Sequence, residues 1–75
     1  MKISEYLKEH KISQGVFAQR VGVSQGMVSQ WIFGHRKVSL ERAVKIEEIT
    51  RGQISAADLR PDIFHLVAKS QGVHV

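Results

Sequence analysis

Apolar residues recur along this chain at spacings of three and four for two turns or so. Glycine or serine then interrupts each run. That rhythm predicts short amphipathic helices rather than strands. Ile3, Tyr6, Leu7 and His10 share one spacing, which predicts a helix over residues 2–10. Ser13 stands ready to cap a second helix, Gln14 to Val21, with Phe17, Ala18 and Val21 as its inner stripe. Gly22 ends it, because glycine tolerates the left-handed conformation a helix exit often needs. Ser24 caps a third helix, Gln25 to about Phe33, closed by Gly34, with Val28, Trp31 and Ile32 on one face. Ser39 caps a fourth, Leu40 to about Arg51, closed by Gly52, whose apolar positions are Leu40, Ala43, Val44, Ile46 and Ile49. Ser55 and Asp58 then form an S-x-x-D capping box, with Ile54 and Leu59 placed to staple it, and Pro61 stops or kinks the short helix that follows. The stretch 63–69, IFHLVAK, is too short to separate strand from helix by period, so the tail is read as irregular or as a short strand.

The fold class that emerges is all-α, a compact bundle of about five short helices. Gly22 and Val23 leave room only for a sharp corner between the second and third helices, which is the geometry of a helix-turn-helix. Small Ala18 lets the two helices approach, Val23 covers the corner, and Val28 and Trp31 anchor the second of them to the core. With 75 residues there is length for one small domain. It is assigned to residues 1–64, with 65–75 as a tail that is either flexible or used in dimerisation.

Charge adds a direction to this picture. The net charge is +4 and the isoelectric point about 9.9. No acid lies between Glu9 and Glu41, a stretch that holds Lys11, Arg20, Arg36 and Lys37 together with His10 and His35. An acid-free block with basic ends can meet an anionic surface without repulsion. The chain has no Cys, which removes disulfides and thiolate metal sites and suits a cytoplasmic protein. No signal peptide and no membrane-spanning run are read from it.

The third helix carries the candidate chemistry. If Val28, Trp31 and Ile32 point inward, a step of about 100° per residue turns Gly26, Ser29, Gln30 and Phe33 outward, with Gln25 and Met27 on the flanks. A face built only for solubility would carry Glu and Lys; this one is polar and uncharged. Glutamine can donate and accept at once, matching the adjacent acceptor and donor on the major-groove edge of adenine. Ser24 sets its hydroxyl beside free backbone N–H groups that suit a phosphate. Arg36 and Lys37, just past the helix, can add contacts to the DNA backbone that carry no sequence preference.

These residues resemble a known family. Ser13, Gln14, Phe17, Ala18, Gly22, Val23, Ser24, Gln25, Val28, Ser29, Trp31 and Gly34 together are similar to the lambda-repressor-like helix-turn-helix domains, and most of all to the Cro/YdaS group of prophage and bacterial regulators. The later run Leu59-Arg60-Pro61-Asp62, followed by the aromatic Phe64, resembles the YdaS-type ending. The resemblance covers roughly residues 1–64. It implies a five-helix fold whose third helix enters the major groove. It implies that Gln14 contacts a phosphate and supports Gln25, and that Gln25, Gly26, Ser29 and Gln30 face bases, although Gly26 has no side chain to read with. The sequence departs from the pattern in three places. Val16 stands where relatives often have Glu, Gly15 weakens the first turn of the second helix, and Phe33 stands where a polar Asn often precedes the glycine. Phe33 could pack on the tail, on a dimer partner, or against sugar and thymine methyl groups.

The expected function is a sequence-specific DNA-binding transcriptional regulator, a Cro-like repressor. Gln25, Gly26, Ser29 and Gln30 would be its base contacts; Gln14, Ser24, Arg36 and Lys37 would hold the backbone. Its partners would be operator DNA, an inverted repeat with half-sites about one helical turn apart, and a second copy of the chain joined through the C-terminal segment. Two other readings fit the same residues: the DNA-binding antitoxin of a toxin–antitoxin pair, and a helical protein-interaction module using Met27, Phe33 and the tail. No cofactor is expected. The scattered His10, His35, His65 and His74 have no helical ligand spacing, so no metal site is expected. No nucleophile–base constellation or paired carboxylates point to an enzyme, and Glu47 and Glu48 read as a solvated face beside Lys45 and Arg51. Trp31 and Met27 read as core. Arg20 either faces DNA or solvates the second helix.

Overall fold

The computed structural model describes residues 1–62, and these are all-helical. In chain order they form α1 (Ile3–His10), α2 (Gln14–Val21), α3 (Gln25–Ile32), α4 (Leu40–Ile49) and α5 (Ala56–Leu59). The readings made for IFHLVAK, Phe64, His65, His74 and a tail strand or dimer contact lie outside the described residues.

Each of the last four helices begins where a serine can cap it. Ser13 Oγ accepts from Val16 N at 3.1 Å, Ser24 Oγ from Met27 N at 3.1 Å, Ser39 Oγ from Arg42 N at 3.3 Å and Ser55 Oγ from Asp58 N at 3.1 Å. Each bond satisfies a backbone donor that the first helical turn cannot. The expected capping box at α5 is complete, since Ser55 N donates to Asp58 Oδ2 at 3.1 Å. The Met1 ammonium, 2.7 Å from the same carboxylate, together with the Ser55 N–H, holds Asp58 below its ordinary pKa.

Gly22, at φ +88°, turns the chain out of α2, and both Gly22 N and Val23 N donate to Ala18 O, at 2.8 and 3.0 Å. The corner between α2 and α3 is therefore as tight as the sequence requires, and Phe17, Ala18, Val21, Val28 and Trp31 meet behind it. The rest of the core comes from Ile3, Tyr6 and Leu7 of α1, Val38 of the loop after α3, Ala43 and Ile46 of α4, and Ile54 and Ala56 around the start of α5. The rings of Tyr6 and Phe17 approach with centroids 6.0 Å apart at 59°. Met27 and Ile32 pack partly buried against this cluster.

Helix α4 departs from expectation twice. It ends at Ile49 rather than near Arg51, because Arg51 and Gly52 both turn left-handed, at φ +54° and +83°. Its inner stripe is Ala43, Ile46 and Thr50, with Ile49 partly buried, whereas Leu40 and Val44 are exposed. At about 100° per residue, Leu40 and Val44 lie roughly a third of a turn away from that stripe.

Thr50 is the buried polar residue of the described chain. Its Oγ1 donates to Ile46 O at 2.8 Å, with Glu47 O and Ile54 O also in reach, and accepts from Ile54 N at 3.1 Å. One hydroxyl thus ties the end of α4 to the strap leading to α5. Thr50→Val keeps the shape but strands the buried Ile54 N–H. We expect a loss of about 1–3 kcal/mol in urea unfolding; an unchanged midpoint would show that the strap does not depend on this hydroxyl.

Candidate nucleic-acid interface

Helix α3 is fixed from three sides. Ser24 caps its start, Val28 and Trp31 are buried beneath it, and its end closes when His35 N donates to Gln30 O at 2.9 Å with Gly34 at φ +77°. A short helix held in this way presents its outer face in a set orientation. Gln25, Gly26, Gln30 and Phe33 are exposed there, as expected, and Ser29 is half-buried beside them. Gln25 and Gln30 can thus reach outward without first leaving a packed environment.

The start of α2 lies against the start of α3. The Gln25 Oε1 stands 3.4 Å from where a Cβ on Gly15 would be. The carboxamide of Gln25 therefore leans back over the first turn of α2, where a side-chain Cβ on residue 15 would still meet it at ordinary van der Waals distance. Gln14 is half-buried in the same first turn. No hydrogen bond joins Gln14 to Gln25, whose carboxamide lies against Gly15.

Ser24 is exposed at the N-terminus of α3, and its Oγ is engaged by Met27 N. Arg36 and Lys37 are exposed on the loop that leaves α3. The structure also shows how that loop is held. Arg60 Nη1 donates to Val38 O at 2.9 Å, and Arg60 Nε and Nη2 meet Asp62 Oδ1 and Oδ2 at 3.2 and 3.3 Å. Val38 itself is buried. Lys37 Nζ comes within 3.8 Å of Asp62 Oδ2. The stretch that is acid-free in sequence is therefore not acid-free in space, since Asp62 returns to its edge. This exposed pair is weak and screened by salt, so a phosphate can compete for Lys37.

Two residues not expected to matter make long-range contacts, and one of them bears on the site. Arg60 braces the loop carrying Arg36 and Lys37 from 22 residues away in sequence. Glu47, expected on a solvated face, is half-buried, and its Oε1 accepts from Ala56 N at 2.8 Å, which caps α5. A carboxylate at a helix start gains both a charge-assisted hydrogen bond and the favourable end of the helix dipole. Neither contact has a local signal, because each joins segments far apart in sequence. Arg20 is exposed. Among the described residues, no three His, Asp or Glu side chains are grouped to hold a metal ion, and no helix is long and apolar enough to cross a membrane.

Comparison with known proteins gives three findings. Residues 9–68 match a family described as bacterial toxin YdaS. The chain is 46% identical over 50 residues to a protein of Escherichia coli strain K12 named as a candidate transcriptional regulator, YdaS; the match takes in 67% of this chain and 51% of that protein, so it spans about half the relative's length. It is also 41% identical over 54 residues to a prophage transcriptional regulatory protein of the same strain, covering 72% of this chain and 82% of the relative.

Proposed function

The chain belongs to the YdaS family, and we propose that it is a sequence-specific DNA-binding regulator of transcription that acts as a Cro-like repressor. The observation that supports this best is the outer face of α3. It holds Gln25, Gly26, Ser29 and Gln30, carries no charge, sits on a rigid helix-turn-helix, and is followed at once by Arg36 and Lys37. The names of the two relatives, both given as regulators of transcription, agree with it.

In this reading α3 enters the major groove. Gln25 and Gln30 pair with base edges, Ser29 makes a shorter contact, and Gly26 lets the backbone come close. Gln14, Ser24, Arg36 and Lys37 hold phosphates and fix the register. One eight-residue helix reads few base pairs, so two copies on an inverted repeat supply the selectivity. Bound across a promoter, the dimer blocks polymerase or a rival regulator.

Selection from a random duplex library at near-physiological salt tests the proposal. An enriched inverted repeat supports the dimeric repressor, and a single half-site keeps the DNA role without the dimer. Salt-sensitive retention with no enriched motif would sink the reading and favour a protein-docking face. Arg36→Ala should weaken binding to matched and scrambled duplexes by a similar factor and lower the slope of log K against log salt by about one. An effect confined to the matched duplex would make Arg36 a base reader instead.

The family description names a toxin, and a DNA-occluding regulator can carry that description as well. When overproduced, it silences a promoter whose product the cell needs. In that case growth arrest on induction should disappear in the Gln25→Ala, Gln30→Ala double variant. Arrest that persists in this variant would place toxicity on another surface.

A further inference from the structure

Phe33 does not fit the chemistry of the face it stands on. It is 67% exposed, the most exposed large apolar side chain among the described residues. Its backbone N–H closes the last turn of α3 on Ser29 O at 3.0 Å, and Gly34 turns the chain away immediately after it. At about 100° per residue, Phe33 projects within about 20° of Gly26 and between Ser29 and Gln30. The side chain therefore leaves the helix near the midline of the polar face, about one turn beyond Ser29 and Gln30.

The surroundings narrow what such a ring could meet. From Ser24 to Ser39 the sequence has no acid, and His35, Arg36 and Lys37 follow one residue after the ring; the acid that the fold returns to this edge, Asp62, is engaged by Lys37 and Arg60. A second copy docking ring to ring would bring two Arg36–Lys37 pairs together. An anionic polymer with an apolar group in its groove has no such conflict. Among the groups displayed on major-groove base edges, the 5-methyl of thymine is the apolar one. Gln30 and Phe33 are separated by about 4.5 Å along the helix axis, little more than the roughly 3.4 Å between successive base pairs. With α3 lying along the groove, Phe33 falls about one base-pair step from the pair that Gln30 meets.

We propose that Phe33 is a further specificity-determining residue, which reads thymine through its 5-methyl group. The inference rests on the DNA-binding reading, and its test keeps the two apart. Each thymine of the selected site is replaced in turn by deoxyuridine, which removes only the methyl, and binding is measured for the unaltered chain, Phe33→Leu and Phe33→Ala. At one thymine per half-site the unaltered chain should lose about fourfold in affinity, the worth of one buried methyl. Phe33→Leu should retain part of that loss and Phe33→Ala none. Because the ring lies outside the core, all three proteins should unfold at similar denaturant concentrations. If no thymine shows a methyl effect that depends on residue 33, the inference falls while the DNA-binding reading stands. If Phe33→Ala instead abolishes self-association and leaves every methyl effect intact, the ring belongs to a protein contact and the inference falls. If selection recovers no site at all, both fall.

Discussion

Trp31→Ala is expected to unfold the domain, or to leave it unfolded over most of the usable temperature range. The indole is 8% exposed and belongs to the main core cluster. It shares one cleft with Ile3 of α1, Val38 of the loop and Leu59 of α5, so its loss opens a space bordered by three separate segments. Truncating a buried tryptophan costs about 3–5 kcal/mol. A small domain has about 5 kcal/mol or little more to lose. Urea unfolding followed by helical circular dichroism checks this, with Phe33→Ala as the control, because that ring is outside the core. A Trp31→Ala protein that keeps its unfolding midpoint and loses only DNA binding would move the indole from the core to the interface.

The same substitution separates two kinds of contribution to α3. Val28 and Trp31 fix where the helix lies, and Gln25, Ser29 and Gln30 determine what it offers. Ser24 and Gly34 decide where it starts and stops. These three roles fall on different faces or ends of one helix, so a substitution on the outer face can change what the helix offers while Val28 and Trp31 still hold it in place.

Much of this was legible in the sequence because the signals are local. A serine before an apolar run finds its partner three residues on, so the starts of α2, α3, α4 and α5 are all placed correctly. Gly22 marks its turn for the same reason: few residues other than glycine adopt φ +88° without strain. The outward face of α3 follows from the helical period once its inner residues are known. What the sequence does not reveal depends on distance. Glu47 reads as solvated beside Lys45 and Arg51, yet it caps a helix nine residues further on. Arg60 reads as part of a subgroup ending, yet its guanidinium holds the carbonyl of Val38. Leu40 and Val44 count as apolar positions of α4, but only the packing partners decide which part of an apolar arc is covered. That the Gln25 carboxamide lies over Gly15 in the first turn of α2 is likewise set by the packing of two helices and has no local signal.

The base-reading residues can be separated from the phosphate-holding ones by the double substitution Gln25→Ala, Gln30→Ala. A bidentate side-chain contact to a base contributes about 1–3 kcal/mol of discrimination. Losing two therefore removes about 2–6 kcal/mol, or roughly tens to tens of thousands of fold, from the preference for the selected site over a scrambled duplex. Affinity for the scrambled duplex should barely change, because Arg36 and Lys37 remain. Stability should hold or rise slightly, since both glutamines are exposed and alanine is the better helix former. Removing the Gln25 amide from beside Gly15 leaves no buried polar group behind. The measurement is a pair of dissociation constants at one salt concentration, on matched and scrambled duplexes, beside an unfolding curve. A collapsed ratio with an intact fold places selectivity on this face. An unchanged ratio with an intact fold removes it from Gln25 and Gln30, whatever the chain's overall affinity for DNA. The pattern is the reverse of that expected for Arg36→Ala, where both constants weaken together and their ratio survives. Two variants with opposite signatures on one short segment tell a helix that reads sequence from a basic surface that merely adheres.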